Sequence, residues 1–324
     1  MSHPFLYRRA ASRDDAADLL AQPGAMALGG GTDLLPAVAD QIARPDLLVD
    51  LRAVPDSDAV TLLADGTLRL GASCTIAQIA AHAVVRERHP ALADACGMVG
   101  TPALRNMGTL GGNLCQRPRC WYFRRAIPCL KNGGPSCPAV HGENQYLAIL
   151  DGGPCHVVHP SDPAVALTAL DARVEIGMAG GGREVPIADF FVLPSARLDS
   201  ETVLEPGAFV TAVLVPPEAA GGAQRYHKLM QREAWDFALV SLAACRRADG
   251  DVRLVLGGVA PRPWRVSSSV EEDVAAGAAG AGLDDDTIAT LAERALYDAA
   301  PLSGNGYKVE LAAALLRQAI RELV

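Results

Sequence analysis

Three consecutive glycines, Gly29-Gly30-Gly31, follow the apolar run AMAL at 25–28 and precede the stretch LLPAVAD at 34–40. Peptide groups without Cβ atoms turn sharply and bring their N–H groups close to an anion, and a helix start adds partial positive charge. The loop continues as Thr32-Asp33. It lacks the GK[ST] ending of a P-loop and the spaced G-x-G-x-x-G of a Rossmann turn. On its own it is therefore either a plain βα turn or a diphosphate cradle. The first fifty residues around it read as β-α-β-α-β: a strand at 5–7, a helix opened by the Ser12/Asp15 capping pattern and ending near Gly24, a strand at 25–28, a helix at 34–40 and a strand at 47–51.

A Pro- and Asp-containing stretch at 55–58 marks a subdomain boundary, and a hairpin turned at Asp65-Gly66 follows it. Thr75 and Gln78 form a capping box for a helix running to about Arg86, with another helix at 90–97. Residues 98–147 read as irregular and are too long for an ordinary connection. Beyond them, Ser161-Asp162-Pro163 opens a helix, and strands near 173–178 and 183–187 meet across Gly180-Gly181-Gly182. A strand at 209–215 leads to a Pro- and Gly-rich linker. The remainder reads as strands near 225–230, 237–246 and 251–260, then helices near 284–298 and 307–322.

The chain has 324 residues, enough for about two domains. Its net charge of -8 and 5% aromatic content leave no basic footprint or stacking platform, which argues against nucleic-acid binding. No apolar run approaches the ~18 residues of a membrane span, so no direct membrane insertion is expected. Arg8-Arg9 is followed by polar and acidic residues where a secretory signal would place its apolar core, so cytoplasm is the default expectation.

Cys115, Cys120, Cys129 and Cys137 crowd into 23 positions with the spacing C-x4-C-x8-C-x7-C. Structural zinc favours close C-x2-4-C pairs, whereas an iron–sulfur cube organises longer irregular loops around itself, so the pattern points to a [4Fe-4S] cluster held by these four thiolates. Trp121, Tyr122 and Phe123 stand next to a ligand as candidate shields from water. Cys74, Cys96, Cys155 and Cys245 lie in stretches read as regular structure and are taken as buried packing residues.

Thr109-Leu110-Gly111-Gly112-Asn113 forms a second glycine loop about eighty residues after the first, and two such loops can close on one extended phosphorylated ligand. GGGTDLLP at 29–36 and RNMGTLGGN at 105–113 resemble the two flavin-binding segments of the FAD-bearing medium subunit of molybdenum hydroxylases. The likeness runs from FLYRRAAS to the terminal NGYKVELAAALLRQAI. It implies an α+β chain: a two-subdomain FAD-binding domain of the PCMH type, with subdomains at 1–57 and 58–218 and a cysteine-rich insertion at about 114–147. A smaller C-terminal domain of antiparallel sheet plus helices at 223–324, of the CO dehydrogenase flavoprotein type, would follow.

By the same resemblance, the backbone of Ala27, Leu28, Gly29, Gly30, Gly31, Thr32, Asp33 and Leu34 would hold the FAD diphosphate. Thr101, Gly108, Thr109, Gly111, Gly112 and Asn113 would line the flavin and its ribityl chain. Asp162 would accept hydrogen bonds from ribityl hydroxyls, and Lys228, one of three lysines, would lie near the flavin. Cys120, Cys129 and Cys137 are similar to the subset with an extra [4Fe-4S] cluster, found in periplasmic aldehyde oxidoreductases and in 4-hydroxybenzoyl-CoA reductase. The reductase has a further cysteine where this chain has Tyr146, which favours the aldehyde oxidoreductase type with Cys115 as the fourth ligand.

The resemblance further implies an electron-relay flavoprotein subunit with no catalytic residue of its own. Its partners would be a large molybdopterin-binding subunit and a small subunit with two [2Fe-2S] clusters. Periplasmic location by co-export with a signal-bearing partner is the alternative to cytoplasm. The competing functions are the β-subunit of a 4-hydroxybenzoyl-CoA reductase-like enzyme and a flavin-free iron–sulfur interaction protein.

Overall fold

The computed structural model describes residues 3–280 and 282–324. Alternating strands and helices at the N-terminus give β1 (Leu6–Arg9), α1 (Arg13–Leu20), β2 (Ala25–Leu28), α2 (Leu34–Ala39) and β3 (Leu47–Asp50). The three strands are parallel in the order β1-β3-β2. Ser12 caps α1 by accepting the Asp15 N–H at 3.1 Å. Asp15 reaches back to the Ala11 N–H rather than that of Ser12, so the expected reciprocal box is displaced by one residue. Four apolar residues of α1 and β3, Ala16, Leu20, Leu47 and Val49, form a small core with Phe209.

The middle of the chain supplies β4 (Val60–Leu62), β5 (Leu68–Gly71), α3 (Ile76–Ala81), α4 (Ala83–Arg88), α5 (Pro90–Gly97), α6 (Pro102–Met107), α7 (Leu110–Leu114) and α8 (Trp121–Arg124). It continues with α9 (Asp162–Ala169), β6 (Arg173–Met178), β7 (Gly181–Pro186), α10 (Ile187–Phe190) and β8 (Phe209–Val215). Its five strands are antiparallel in the order β4-β5-β8-β6-β7. Two expectations are corrected here. The helix expected from Thr75 to Arg86 is broken at His82, whose ψ of 126° is extended, so its full capping box opens only α3. The stretch 98–147 carries three helices of four to six residues, too short for any apolar period to register in the sequence.

The C-terminal part contains β9 (Ala223–Leu229), β10 (Val240–Arg246), β11 (Val252–Gly257), β12 (Trp264–Arg265), α11 (Ser268–Ala279), α12 (Asp285–Ala295) and α13 (Tyr307–Leu323). The sheet is antiparallel in the order β12-β11-β10-β9. Side chains alternate along it with period two: Tyr226, Ala243, Cys245 and Val255 join the middle core, while Leu242, Ala244, Leu254 and Leu256 pack under the last three helices. Both α11 and β12 escape a sequence reading, because α11 offers only Val270 and Val274 as a fully buried apolar pair.

Helix α9 is buried along all eight residues, including Asp162 and Pro163, and lies between α5 and the face of β10 and β11. A helix apolar on every side is possible only where neighbours surround it. It therefore fixes where the middle and C-terminal parts meet. Among the described residues no helix is long and apolar enough to cross a membrane.

At the end of β3, fully buried Asp50 accepts the Tyr7 hydroxyl at 2.6 Å and the Arg52 backbone N–H, Nε and Nη2 at 3.0, 3.0 and 2.9 Å. Burial pushes its carboxyl up, but the Arg52 and Tyr7 hydrogen bonds prevail and hold it at about 2. A depressed folded value means stability that is present above the ordinary carboxylate range and lost as pH falls through about 2. Urea unfolding between pH 4 and pH 2 should show a loss of about 1–2 kcal/mol from this site after solvent screening, a loss that Asp50→Asn removes.

Candidate functional site

A cavity of about 640 Å³ opens beyond the C-terminal end of β2, between the first glycine loop, the start of α7, the N-terminus of α9 and β9. Crevices outside the carboxyl ends of parallel strands are the usual ligand positions of such sheets. The backbone N–H groups of Gly29, Gly30, Gly31 and Thr32 donate no hydrogen bond within the described chain. Four adjacent free donors on a cavity wall suit an anionic diphosphate. Glycine is required by space: a Cβ on Gly30 would overlap the Met107 carbonyl, and one on Gly29 would overlap Thr109 Oγ1. Gly31 has a φ of +74°, which glycine alone adopts without cost.

The second loop works differently. Thr109 caps α7 by accepting the Gly112 N–H at 3.3 Å, and the N–H groups of Leu110, Gly111 and Asn113 go to Cys74, Ala72 and Thr109 carbonyls. Its amides are spent inside the fold, so it offers a wall rather than a second set of free donors. Asn113 Oδ1 accepts the Ser161 hydroxyl at 2.5 Å, tying this loop to the cap of α9.

Of the residues expected at the cofactor, Ala27, Gly29, Gly30, Gly31, Thr32, Asp33 and Leu34 line the cavity on one side. Gly108, Thr109, Gly112, Asn113, Asp162 and Lys228 line it on the others. Leu28, Thr101 and Gly111 do not: Leu28 is buried in β2, Thr101 caps α6 by accepting the Leu104 N–H, and Gly111 packs against Ala72.

Asp162 Oδ1 accepts the Tyr226 hydroxyl at 2.6 Å and Oδ2 the Lys228 ammonium at 2.7 Å. Lys228 also donates to the Met98 carbonyl at 3.0 Å. Burial pushes the Asp162 carboxyl up, opposed by the lysine and tyrosine. Tyr226 is absent from the sequence reading, although its place two residues before Lys228 on one strand face was a usable signal.

Asp33 also joins the first loop to the cysteine-rich segment, whose Arg117 and Arg119 line the same cavity. It accepts Arg119 Nη1 and Arg124 Nη2 at 2.6 Å each and the Arg117 backbone N–H at 2.9 Å. Burial raises its carboxyl, yet the two guanidinium groups outweigh that and leave it below the usual range. On the far side of the segment, buried Glu201 binds Lys131 at 2.7 Å and Arg117 at 2.5 Å.

The cysteines sort differently from their sequence order. Cys120, Cys129 and Cys137 line one small cavity together with Cys155, beside Phe123, Leu147 and Val157. Cys115 instead ends α7 and lines the large cavity, where burial pushes its thiol up to about 12. A hydrogen bond from Cys155 holds the Cys137 thiol below the usual thiol range. Cys155 was missed because it stands eighteen residues past the run, and only the Gly152-Gly153-Pro154 turn before it hints at a special position. Among the described residues no group of three or more His, Cys, Asp or Glu side chains is arranged to hold a metal ion.

Arg232, Trp235, Asp236 and Phe237, from the connection between β9 and β10, also line the large cavity. Arg232 lies 5.8 Å from the Trp235 ring centroid and Arg119 lies 5.1 Å from that of Phe237. Trp235 is 62% exposed with a φ of +55°, an uncommon conformation for a bulky residue.

With the two loops and the covering sheet in place, comparison with known proteins identifies their class. Residues 3–218 match the FAD binding domain in molybdopterin dehydrogenase, and residues 225–323 match the CO dehydrogenase flavoprotein C-terminal domain. The chain belongs to this family, the flavoprotein subunits of molybdenum hydroxylase-type oxidoreductases. It is 39% identical to the aldehyde oxidoreductase FAD-binding subunit PaoB of Escherichia coli, over 82% of this chain and 84% of that protein. To the putative xanthine dehydrogenase FAD-binding subunit XdhB of the same organism it is 29% identical, over 98% of this chain and 95% of that one. Quinoline 2-oxidoreductase from Pseudomonas putida 86 shares the fold with a TM-score of 0.74 at 24% identity, covering 100% of this chain and 98% of that chain. Carbon monoxide dehydrogenase from Hydrogenophaga pseudoflava does so at 0.73 and 22%, with the same coverage.

Gly30→Ala should lower FAD affinity by about tenfold or more, because the new methyl forces the two loops apart. Flavin fluorescence titration measures it. Gly97→Ala, whose methyl meets nothing within 4 Å, should leave the affinity unchanged.

Proposed function

We propose that the chain is the FAD- and [4Fe-4S]-bearing electron-transfer subunit of a molybdenum-containing aldehyde oxidoreductase-type complex. The observation that carries the reading is the convergence of Cys120, Cys129, Cys137 and Cys155 on one cavity, beside a flavin-type site. Four thiolates from irregular loops suit an iron–sulfur cube, and apolar Phe123, Leu147 and Val157 limit water around it. The fourth ligand in this reading is Cys155 rather than Cys115.

A flavin accepts electrons singly or in pairs and so links one-electron carriers to a two-electron acceptor. This chain's residues bind and orient it. Free amides at 29–32 hold the diphosphate, the Asp162–Lys228 pair fixes the polar middle of the site, and Trp235 with Phe237 narrows the opening to water. Electrons would arrive from a small subunit with two [2Fe-2S] clusters, after oxidation of substrate on a large molybdopterin-binding subunit. The likeness to the Escherichia coli aldehyde oxidoreductase subunit supports the aldehyde assignment. Tyr146 gives no support to the reductase-like alternative, since its ring stacks edge-on against Trp121 at 5.7 Å and its hydroxyl bonds Gln231.

Anaerobically purified complex should contain about four irons in this subunit. Cys155→Ser should lose them and the broad visible absorption they produce, while Cys115→Ser keeps both. Loss of iron in Cys115→Ser with retention in Cys155→Ser would return the fourth position to Cys115. An absence of iron in every preparation defeats the cluster.

A further inference from the structure

The loop that opens α13 reaches out of the C-terminal part onto the chain just past the cysteine run. Fully buried Asn305 donates from Nδ2 to the Leu147 and Ala148 carbonyls at 3.1 Å each, while its Oδ1 accepts the Leu302 N–H at 2.7 Å and keeps the amide aimed that way. Fully buried Lys308 donates to the carbonyls of Leu147 at 2.9 Å, Tyr146 at 3.3 Å and Gly258. The Tyr307 hydroxyl donates to the Gln145 carbonyl at 2.8 Å. Asn144 Oδ1 accepts the Gly304 N–H at 2.8 Å, and Ser303 Oγ accepts Asn144 Nδ2 at 3.1 Å. Burying an ammonium is costly unless it is paired. Among the described residues Lys308 forms no ion pair with a carboxylate, and carbonyl dipoles compensate its charge.

The gripped stretch 144–148 connects two of the cysteine loops. Asn144 Nδ2 also donates to the Ala139 and Gly142 carbonyls at 3.0 and 3.1 Å, and Ala139 lies two residues after Cys137. On the other side, the Ala148 N–H donates to the His156 carbonyl at 2.9 Å and closes the loop that carries Cys155. Leu147 and His156 themselves line the cysteine cavity. Cys120 and Cys129 are held from elsewhere. Arg119 and Arg124, on either side of Cys120, bind Asp33, and Lys131, two residues after Cys129, binds Glu201.

We propose that Asn305 and Lys308 are positioning residues for the iron–sulfur cluster, fixing the loops of Cys137 and Cys155 from the C-terminal part while the FAD-binding part fixes those of Cys120 and Cys129. The inference rests on the cluster reading above. Iron leaves such a site when a thiolate swings off and a ligand from solution takes its place, so loops held in position retain the metal. Removing the outer hydrogen bonds that orient a metal's ligands typically costs about 10–100-fold in affinity.

The test uses the full chain, purified anaerobically with FAD and iron. Excess bathophenanthroline disulfonate should strip iron about tenfold faster from Lys308→Met than from the wild type, with FAD retained. Tyr307→Phe, which removes one half-exposed contact, should speed the release about fivefold and carries the comparison if Lys308→Met does not fold. Glu271→Gln breaks a buried ion pair with Arg265 elsewhere in the C-terminal part, and should lower thermal stability without changing iron release. In iron-free protein, iodoacetamide should alkylate Cys137 and Cys155 faster in Lys308→Met or Tyr307→Phe than in the wild type, with Cys120 and Cys129 unchanged, as read by peptide mass spectrometry. Unchanged iron release in both variants overturns the proposal, as does equal acceleration in Glu271→Gln or faster alkylation at all four cysteines alike. Wild-type protein that never holds iron defeats the cluster reading instead, and the alkylation pattern then decides the placement of the loops by itself.

Discussion

Asp33 ties the first glycine loop to the segment that carries the clustered cysteines, and the rest of the site depends on that bond. Its carboxylate takes two guanidinium groups and one peptide N–H from residues 117–124, which joins the loop bearing the free amides to the turn bearing Cys120. A buried carboxylate stripped of either arginine would be strongly penalised. The charge therefore specifies one arrangement of two segments eighty-odd residues apart.

A second ionic junction, Asp162 with Lys228 and Tyr226, performs the same task between α9 and the C-terminal sheet. Glu201 with Lys131 and Arg117 performs it for the outer side of the cysteine-rich segment. Each adds a directional polar contact to elements that already meet through apolar packing. The hydrophobic cores hold the three sheets, and these paired charges set the walls of the cavities between them.

Much of this was legible in the residues, for identifiable reasons. The βαβ alternation at the N-terminus, the caps Ser12, Thr75 and Ser161, and the turn at Asp65-Gly66 are local signals, and local chemistry decides them. The three short helices between 98 and 125, and helix α11, escaped because single turns and alanine-rich faces carry no period. At the site, glycines forced by close backbone approach announced themselves, as Gly29 and Gly30 do. Cys155 did not, since its membership in the cysteine group is made by the turn at Gly152-Gly153-Pro154 and the packing of Leu147 and Val157, none of which spacing reveals. The side-chain partners of Asp33 had no sequence signal, because its arginines lie far away in the chain.

Lysine is confined to three positions in this protein, and all three side chains are inside. Lys131 and Lys228 are 1% exposed and Lys308, bound to the carbonyls of Leu147 and Gly258, is 0% exposed. The outer positive charge is guanidinium alone. Amine-directed acylation, cross-linking and conjugation therefore meet almost no reactive side chain on the folded molecule. Labelling at lysine would report the opening of a structural joint rather than the position of a neighbour.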